Sequence, residues 1–309
     1  MNNSNGDSSA VRQRELPRQF KKQARKQVHK LKRTYRAALS TGDADSVHDL
    51  RVVTRRLQTI LDLATFPDPS KTATKARKRL RKLRHALNVR RDTDVLASAM
   101  RSRSARASSG HRRKLWNQAA RETHMEGERA AKKSGRWLKR HKLSRIAPLI
   151  GKVVAKRLEG GGLSVDDLRS AVRQVHQRWK RCVREASTQL GSARFHEVRI
   201  KTKSYRYMME LVSRIIGGDQ SQRLIEWLKS IQDELGQWRD QTELCRRLTA
   251  VLSRDAGLQS NPVATAMIDA SRSRTQLNDE HAQRVITSMR ESDASKQLAA
   301  VANPAGAEK

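Results

Sequence analysis

The sequence predicts an all-α protein built from two similar helical halves, and three observations lead to that reading. Pro is scarce, 6 residues in 309, whereas Ala, Leu, Arg, Lys and Gln, all strong helix formers, are abundant. No convincing run of alternating β-branched residues marks a strand. The segment VHDLRVVTRRLQTILDL at 47–63 also has a counterpart 148 residues later, FHEVRIKTKSYRYMMEL at 195–211.

The elements follow from local signals. Residues 1–9 are polar and read as a disordered tail, after which a basic helix from Val11 to Leu39 stops at Ser40-Thr41-Gly42, where Gly suits a C-cap. Asp45 or Ser46 is placed to cap a second helix that ends before Pro67-Asp68-Pro69. A third helix starts near Ser70, and a fourth follows Arg91-Asp92, with the Asp as its cap. Ser108-Ser109-Gly110 breaks the pattern, and a long basic helix then runs towards His141, so that 10–159 forms a first bundle with a basic extension.

Gly160-Gly161-Gly162 reads as an interdomain linker, because three glycines are costly inside a helix. The second bundle, 163–296, restarts at a Ser164 N-cap followed by Asp167. Its helices are expected at about 164–190, 193–216, 219–236, 239–256 and 262–292, with 297–309 as a disordered tail.

The 148-residue offset holds without a gap through three successive helices. LRKLRHALNVRRDTDVL at 80–96 falls on LKSIQDELGQWRDQTEL at 228–244, matching Leu80 with Leu228, Leu87 with Leu235, Arg91 with Arg239 and Asp92 with Asp240. Upstream, LKRTYR at 31–36 falls on WKRCVR at 179–184. One match between Arg-rich helices could be chance, but an unbroken register through the intervening turns points to duplication.

Lys and Arg number 66 against 31 acids, a formal charge of +35. Such an excess repels itself and points to a polyanionic partner. It is also uneven, with 39 basic and 12 acidic residues in 1–150 against 27 and 19 in 151–309. Two cysteines, Cys182 and Cys245, show neither a disulfide framework nor zinc-ligand spacing, which fits a reducing, cytoplasmic setting without a metal or other cofactor. There is no apolar signal core and no run approaching the ~20 apolar residues of a membrane span, so membrane insertion is not expected.

At about 100° per residue, His48, Arg51 and Arg55 fall within about 60° of one another, while Leu50, Val53, Leu57, Ile60, Leu61 and Ala64 occupy the opposite arc. The later copy repeats the division, with His196, Arg199, Lys203 and Arg206 on its polar stripe. Solvation alone would accept Glu, Gln or Lys in any order. Both copies instead keep His, then Arg, then Arg or Lys, a set that suits a row of phosphate oxygens. The five tryptophans are expected to anchor packing rather than form a stacking row.

These signatures, His-acid-Leu-Arg-Val-x-Thr-Arg-Arg-Leu and His-Glu-Val-Arg-Ile-x-Thr-Lys, each followed by Leu-x-x-x-Arg-Asp-x-x-x-Leu, resemble those of the CHAD (conserved histidine α-helical) domain family. The resemblance covers roughly residues 15–290. It implies two four-helix bundles related by a pseudo-twofold axis, a basic central cavity that binds inorganic polyphosphate, and a location at polyphosphate granules. The strand-forming ExExK segment of the CYTH-type domain that often accompanies the family is absent, as expected of a stand-alone copy.

Carried onto this chain, the resemblance gives His48, Arg51, Arg55 and Arg56, then His196, Arg199, Lys203 and Arg206, as polyphosphate-binding residues. The preceding helices add Lys32, Arg33, Arg36, Lys180, Arg181 and Arg184, with Arg79, Lys82 and Arg84 as weaker candidates. The leading reading is a non-catalytic polyphosphate-binding protein. Against it stand a sequence-nonspecific nucleic-acid binder, which the charge alone favours, and a phosphoryl-transfer enzyme, for which clustered carboxylates and a P-loop are missing. Adventitious nucleic-acid binding by the more basic half is expected in any case.

Overall fold

The structure, a computed structural model, describes residues 4–141, 143–188, 191–217 and 221–291. Its elements are α1 (Ser4–Ser40), α2 (Ala44–Ala64), α3 (Lys71–Ala105), α4 (Gly110–Arg140), a 3-10 turn (Leu143–Arg145), α5 (Ala147–Glu159), α6 (Val165–Thr188), α7 (Ser192–Ile216), α8 (Gln222–Leu252), α9 (Ala256–Gln259) and α10 (Pro262–Glu291). The described residues contain no strand, so the chain is all-α as expected.

Several boundaries differ from the sequence reading. Backbone helix reaches back to Ser4, into the stretch expected to be disordered, because extending an existing helix needs no new nucleus. The cap of α2 is Asp43, whose carboxylate accepts from the Ser46 N–H at 2.7 Å, rather than Asp45 or Ser46. Helix α3 passes straight through Arg91-Asp92, and α8 through Arg239-Asp240, so neither Asp is an N-cap. Nothing there forces a break: no Gly or Pro follows, and the Thr93 hydroxyl bonds back to the Val89 carbonyl at 2.9 Å. The tail expected at 297–309 lies outside the described residues.

The turn after the three glycines is built as the sequence suggests. The Ser164 hydroxyl accepts from the Asp167 N–H at 3.0 Å, while the Asp167 carboxylate accepts from the Ser164 N–H at 2.9 Å. Arg157 of α5 then reaches the same carboxylate at 2.6 Å, tying α5 to the start of α6. Gly161 and Gly162 have φ of 92° and 79°, a region that favours glycine, and a Cβ on Gly162 would lie 3.0 Å from the Pro17 ring.

The offset read from the sequence recurs in the folded chain. Ser40 and Thr188 end α1 and α6, and Ala44 and Ser192 begin α2 and α7, each pair 148 residues apart. Burial keeps the same register: Phe20, Leu31, Tyr35 and Ala38 of α1 correspond to Leu168, Trp179, Val183 and Ala186 of α6, all buried. Leu50 and Leu57 correspond likewise to Val198 and Tyr205, and Leu80 and Leu87 to Leu228 and Leu235.

One apolar core runs through both halves, from Leu16 on α1 to Met289 on α10, with α7 packed against both α1 and α2. A smaller cluster, including Leu96, Met100, Leu115, Leu244, Leu248 and Met267, joins the later parts of α3 and α8 to α4 and α10. The apolar arc of α2 faces the main core, which leaves its basic stripe turned towards α7 and α8. No helix among the described residues is long and apolar enough to cross a membrane.

The Ser164–Asp167 pair generates a direct test. Ser164→Ala removes one member of a reciprocal cap and should lower stability by about 1 kcal/mol in urea denaturation, with helix content in the folded state unchanged.

Candidate functional site

Where the basic stripes of α2 and α7 meet α3 and α8, they line two adjoining cavities of about 240 and 410 Å³. Both cavities share Arg51, Arg55, Asp92, Arg199, Lys203, Tyr207 and Arg239. His48, Arg91 and Arg206 complete the first, and Arg81, Arg84, His85 and His196 the second. Together they hold nine Arg and Lys side chains against four carboxylates, Asp62, Asp92, Asp240 and Glu243.

Four of the nine cations, Arg51, Arg84, Arg206 and Arg239, have a hydrogen-bond or ion-pair partner, and the contacts of the first three can be compared across the 148-residue offset. The Arg84 guanidinium donates to Gln58 at 2.7 Å, and Arg206 donates to Gln232 at 3.0 Å. Positions 84 and 232 correspond under the 148-residue offset, as do 58 and 206, so the same Arg–Gln pair is made with its members exchanged. Arg51 donates to Asn88, whereas Arg199, its counterpart, faces Gly236 at the position of Asn88. Its Nε is buried and has no acceptor.

Two carboxylates bridge the halves. Buried Glu210 accepts from Arg56 of the first half at 3.2 Å, from Arg206, and from Arg214 at 3.6 Å. Asp92 accepts from Arg239 at 3.1 Å. The sequence reading assigns Asp92 to a cap instead. The separation of 147 residues gave no local signal for this pair.

Arg55, Arg199 and Lys203 have no hydrogen-bond acceptor or ion-pair partner among the described residues, although all three are at least half-buried. Burial, followed by repulsion from Arg199, Arg55, Arg239 and Arg51, pushes the Lys203 ammonium down to about 6. Burial likewise lowers Arg51, Arg84 and Arg199 to about 10. His48 and His196 are lowered too, first by burial and then by neighbouring arginines, which favours the neutral imidazoles. Unpaired, partly desolvated donors of one sign, held in fixed positions, form a ready-made anion site.

The structure therefore gathers His48, Arg51, Arg55, His196, Arg199, Lys203 and Arg206 around one space, with Arg56 held just behind it by Glu210. It does not bring in the six residues of the preceding helices. Arg33, Lys180, Arg181 and Arg184 are exposed and line neither cavity, while Lys32 and Arg36 border a separate groove beside Leu138 and Lys139. The reason is rotational: the buried arcs of α1 and α6 carry Leu31, Thr34, Tyr35, Trp179 and Val183, and the intervening cations point outward. Of the weaker candidates Arg84 lines the site, but Arg79 and Lys82 lie beside Trp137 and His141.

The fold is that of an all-helical protein in which α2, α3, α7 and α8 line two adjoining, strongly basic cavities. Residues 22–249 match the CHAD domain, and the chain belongs to the CHAD domain family. Solved structures share the fold, among them these two. The CHAD domain crystal structure from the plant Ricinus communis superposes with a TM-score of 0.62 at 19% identity, covering 88% of this chain and 91% of its own. PptA from Streptomyces chartreusis gives 0.67 at 17% identity, covering 89% and 99%. No curated protein matches the chain.

The state of Lys203 sets a pH dependence with a definite sign. Its folded value of about 6 lies below the ordinary 10.5, so between those values the unfolded chain binds more protons. This group's contribution to stability should therefore rise with pH from about 6 towards 10, with a slope of up to about 1.4 kcal/mol per pH unit. Lys203→Met should be more stable than wild type near pH 6 and lose that part of the slope, as read by urea denaturation at several pH values.

Proposed function

We propose that the chain binds inorganic polyphosphate in the cavity between its two halves and does not turn it over. The observation that carries this reading is the set of cations without acceptors, Arg55, Arg199 and Lys203, flanked by Arg51, His48 and His196. A linear chain of phosphates supplies the missing acceptors in series, and bidentate guanidinium contacts suit consecutive phosphate groups. On this reading the halves arose by duplication, are related by a pseudo-twofold axis, and present two half-sites to one polymer. Membership of the CHAD family supports the same ligand class, and association with polyphosphate granules follows as part of the proposal.

The carboxylates nearest the site support binding over phosphoryl transfer. Of the four that line the cavities, Asp92, Asp62 and Glu243 are paired with Arg239, Arg77 and Arg246, and no group of three His, Cys, Asp or Glu among the described residues could hold a metal ion. Release of phosphate from polyphosphate by purified protein and Mg²⁺ would overturn the non-catalytic part of the proposal. The exposed cations of α1 and α6 give nucleic acid a nonspecific surface, which is the alternative reading. Displacement of polyphosphate by duplex DNA at equal phosphate concentration would favour that alternative.

Binding should weaken by about tenfold or more in Arg199→Ala and in His196→Ala/Arg199→Ala, with a flatter dependence of affinity on salt. His48→Ala/Arg51→Ala should weaken it as well. Undiminished affinity in all three variants would remove the site assignment. Gly236→Asn offers a subtler test, because space exists for the side chain: the nearest atoms to a Cβ are those of Arg199, at 3.9 and 4.0 Å. It should give Arg199 the acceptor that Arg51 already has and reduce affinity severalfold without loss of fold.

A bound polyanion raises the pKa of nearby cations, so binding above pH 6 should take up protons, and affinity should fall as pH rises from about 6 to 8. Calorimetry in buffers of different ionisation heat measures this uptake. Lys203→Arg, which keeps the charge without titrating, should reduce it.

A further inference from the structure

A second groove, of about 490 Å³, lies where the end of α3 and the start of α4 meet α8 and α10. Its chemistry differs from that of the basic cavity. Four arginines line it, Arg103, Arg106, Arg112 and Arg274, and no carboxylate does. Leu244, Leu248 and Met267, all buried members of the smaller apolar cluster, form its floor.

Trp116 borders the groove half-buried and has no aromatic neighbour among the described residues. The sequence reading placed it with the packing tryptophans. All three fit that role, Trp179 and Trp238 being buried and Trp116 packed against the smaller apolar cluster, but Trp116 is part-exposed and also lines the groove. Arg112 and Arg274 have no side-chain acceptor among the described residues. Arg103 is steadied by Gln241 at 3.1 Å, and Arg106 by the Ser102 carbonyl at 3.1 Å. Burial and the nearby Arg274 and Arg106 lower Arg103, consistent with clustered positive charge that nothing in the groove offsets.

A bare phosphate chain would satisfy the arginines but make no use of the part-exposed Trp116 beside them. A ligand with both a flat apolar ring and a phosphate tail answers the whole lining: aromatic stacking tolerates any base, and guanidinium forks take phosphate oxygens. We infer that this groove binds a nucleoside phosphate, its base against Trp116 and the Leu244–Leu248–Met267 floor, its phosphates on Arg112 and Arg274. The site is separate from the basic cavity, and the inference does not depend on what that cavity binds.

The test uses ATP as probe, with the full chain, titrated by calorimetry and by tryptophan fluorescence. Trp116→Ala should weaken ATP binding about tenfold, Trp116→Phe should restore most of it, and Arg112→Gln/Arg274→Gln should weaken it about tenfold or more. Lys203→Met should leave ATP affinity within about twofold of wild type, and the groove variants should leave polyphosphate affinity equally unaffected. Circular dichroism confirms that each variant is folded.

Three results would overturn the inference. The first is no saturable ATP binding. The second is ATP binding that is lost in Lys203→Met but kept in the groove variants, which would place the nucleotide in the basic cavity. The third is tighter binding of a single-stranded trinucleotide than of ATP, which would reassign the groove to nucleic acid. Polyphosphate affinity, measured in parallel, stands or falls on its own.

Discussion

Mutual repulsion among cations held in a half-buried space is the constraint around which the rest of the structure is arranged. Arg51, Arg55, Arg199, Lys203 and Arg239 share the walls of both cavities, and the depression of Lys203 to about 6 reflects burial first and then repulsion from the four arginines. That arrangement opposes folding and has to be offset elsewhere. Part of the offset is apolar: the core that runs from α1 to α10 lies directly behind the basic stripes, on the opposite arcs of α2 and α7. The rest comes from where the few carboxylates are placed. Buried Glu210 serves three arginines drawn from both halves, and Asp92 holds Arg239 across the same boundary. Both carboxylates secure the frame while leaving Arg55, Arg199 and Lys203 without a carboxylate partner among the described residues.

This division separates cations that hold the structure from cations that are open to a ligand, and composition alone cannot make it. Arg56 and Arg206 belong to the signature segments as fully as Arg55 and Lys203 do, yet Glu210 engages both. Losing either would leave a buried carboxylate with fewer partners, so damage to folding and loss of binding would be confounded there. At Arg199 and Lys203 they are not, because neither side chain has a protein partner to strand.

What the sequence disclosed, and what it did not, follows the reach of each signal. Helical class, most helix spans and the Ser164–Asp167 cap depend on residues a few positions apart and could be read directly. The basic stripes of α2 and α7 were legible because helical periodicity places His48, Arg51 and Arg55 opposite Leu50 and Leu57. The same periodicity, applied to α1 and α6, gives cations facing away from the core, but it does not say which outward face meets the cavity. Lys32, Arg33, Arg36, Lys180, Arg181 and Arg184 lie on faces that do not line the two cavities. The continuity of α3 through Arg91-Asp92 was misread for a related reason: Asp next to Arg is also a capping signal, and only the placement of Arg239 explains why Asp92 stands there. Pairings such as Arg56–Glu210, 154 residues apart, leave no local trace.

The repeat becomes most informative where its two copies disagree. The exchange of Arg84–Gln58 for Gln232–Arg206 preserves a contact while moving the charge from one helix of the pair to the other. A contact kept under such a swap is one the geometry requires. The change from Asn88 to Gly236 has the opposite effect, for it removes the acceptor and leaves a buried Nε on Arg199 unmatched, where Arg51 is satisfied. Leaving a buried donor unpaired costs stability, and Gly within a helix costs more. Two unfavourable choices made together at one position of a repeat, beside a lysine already stripped of its charge preference, are hard to account for by packing. On the proposed function they are accounted for, since a bound phosphate would supply Arg199 with the acceptor that Asn88 already gives Arg51.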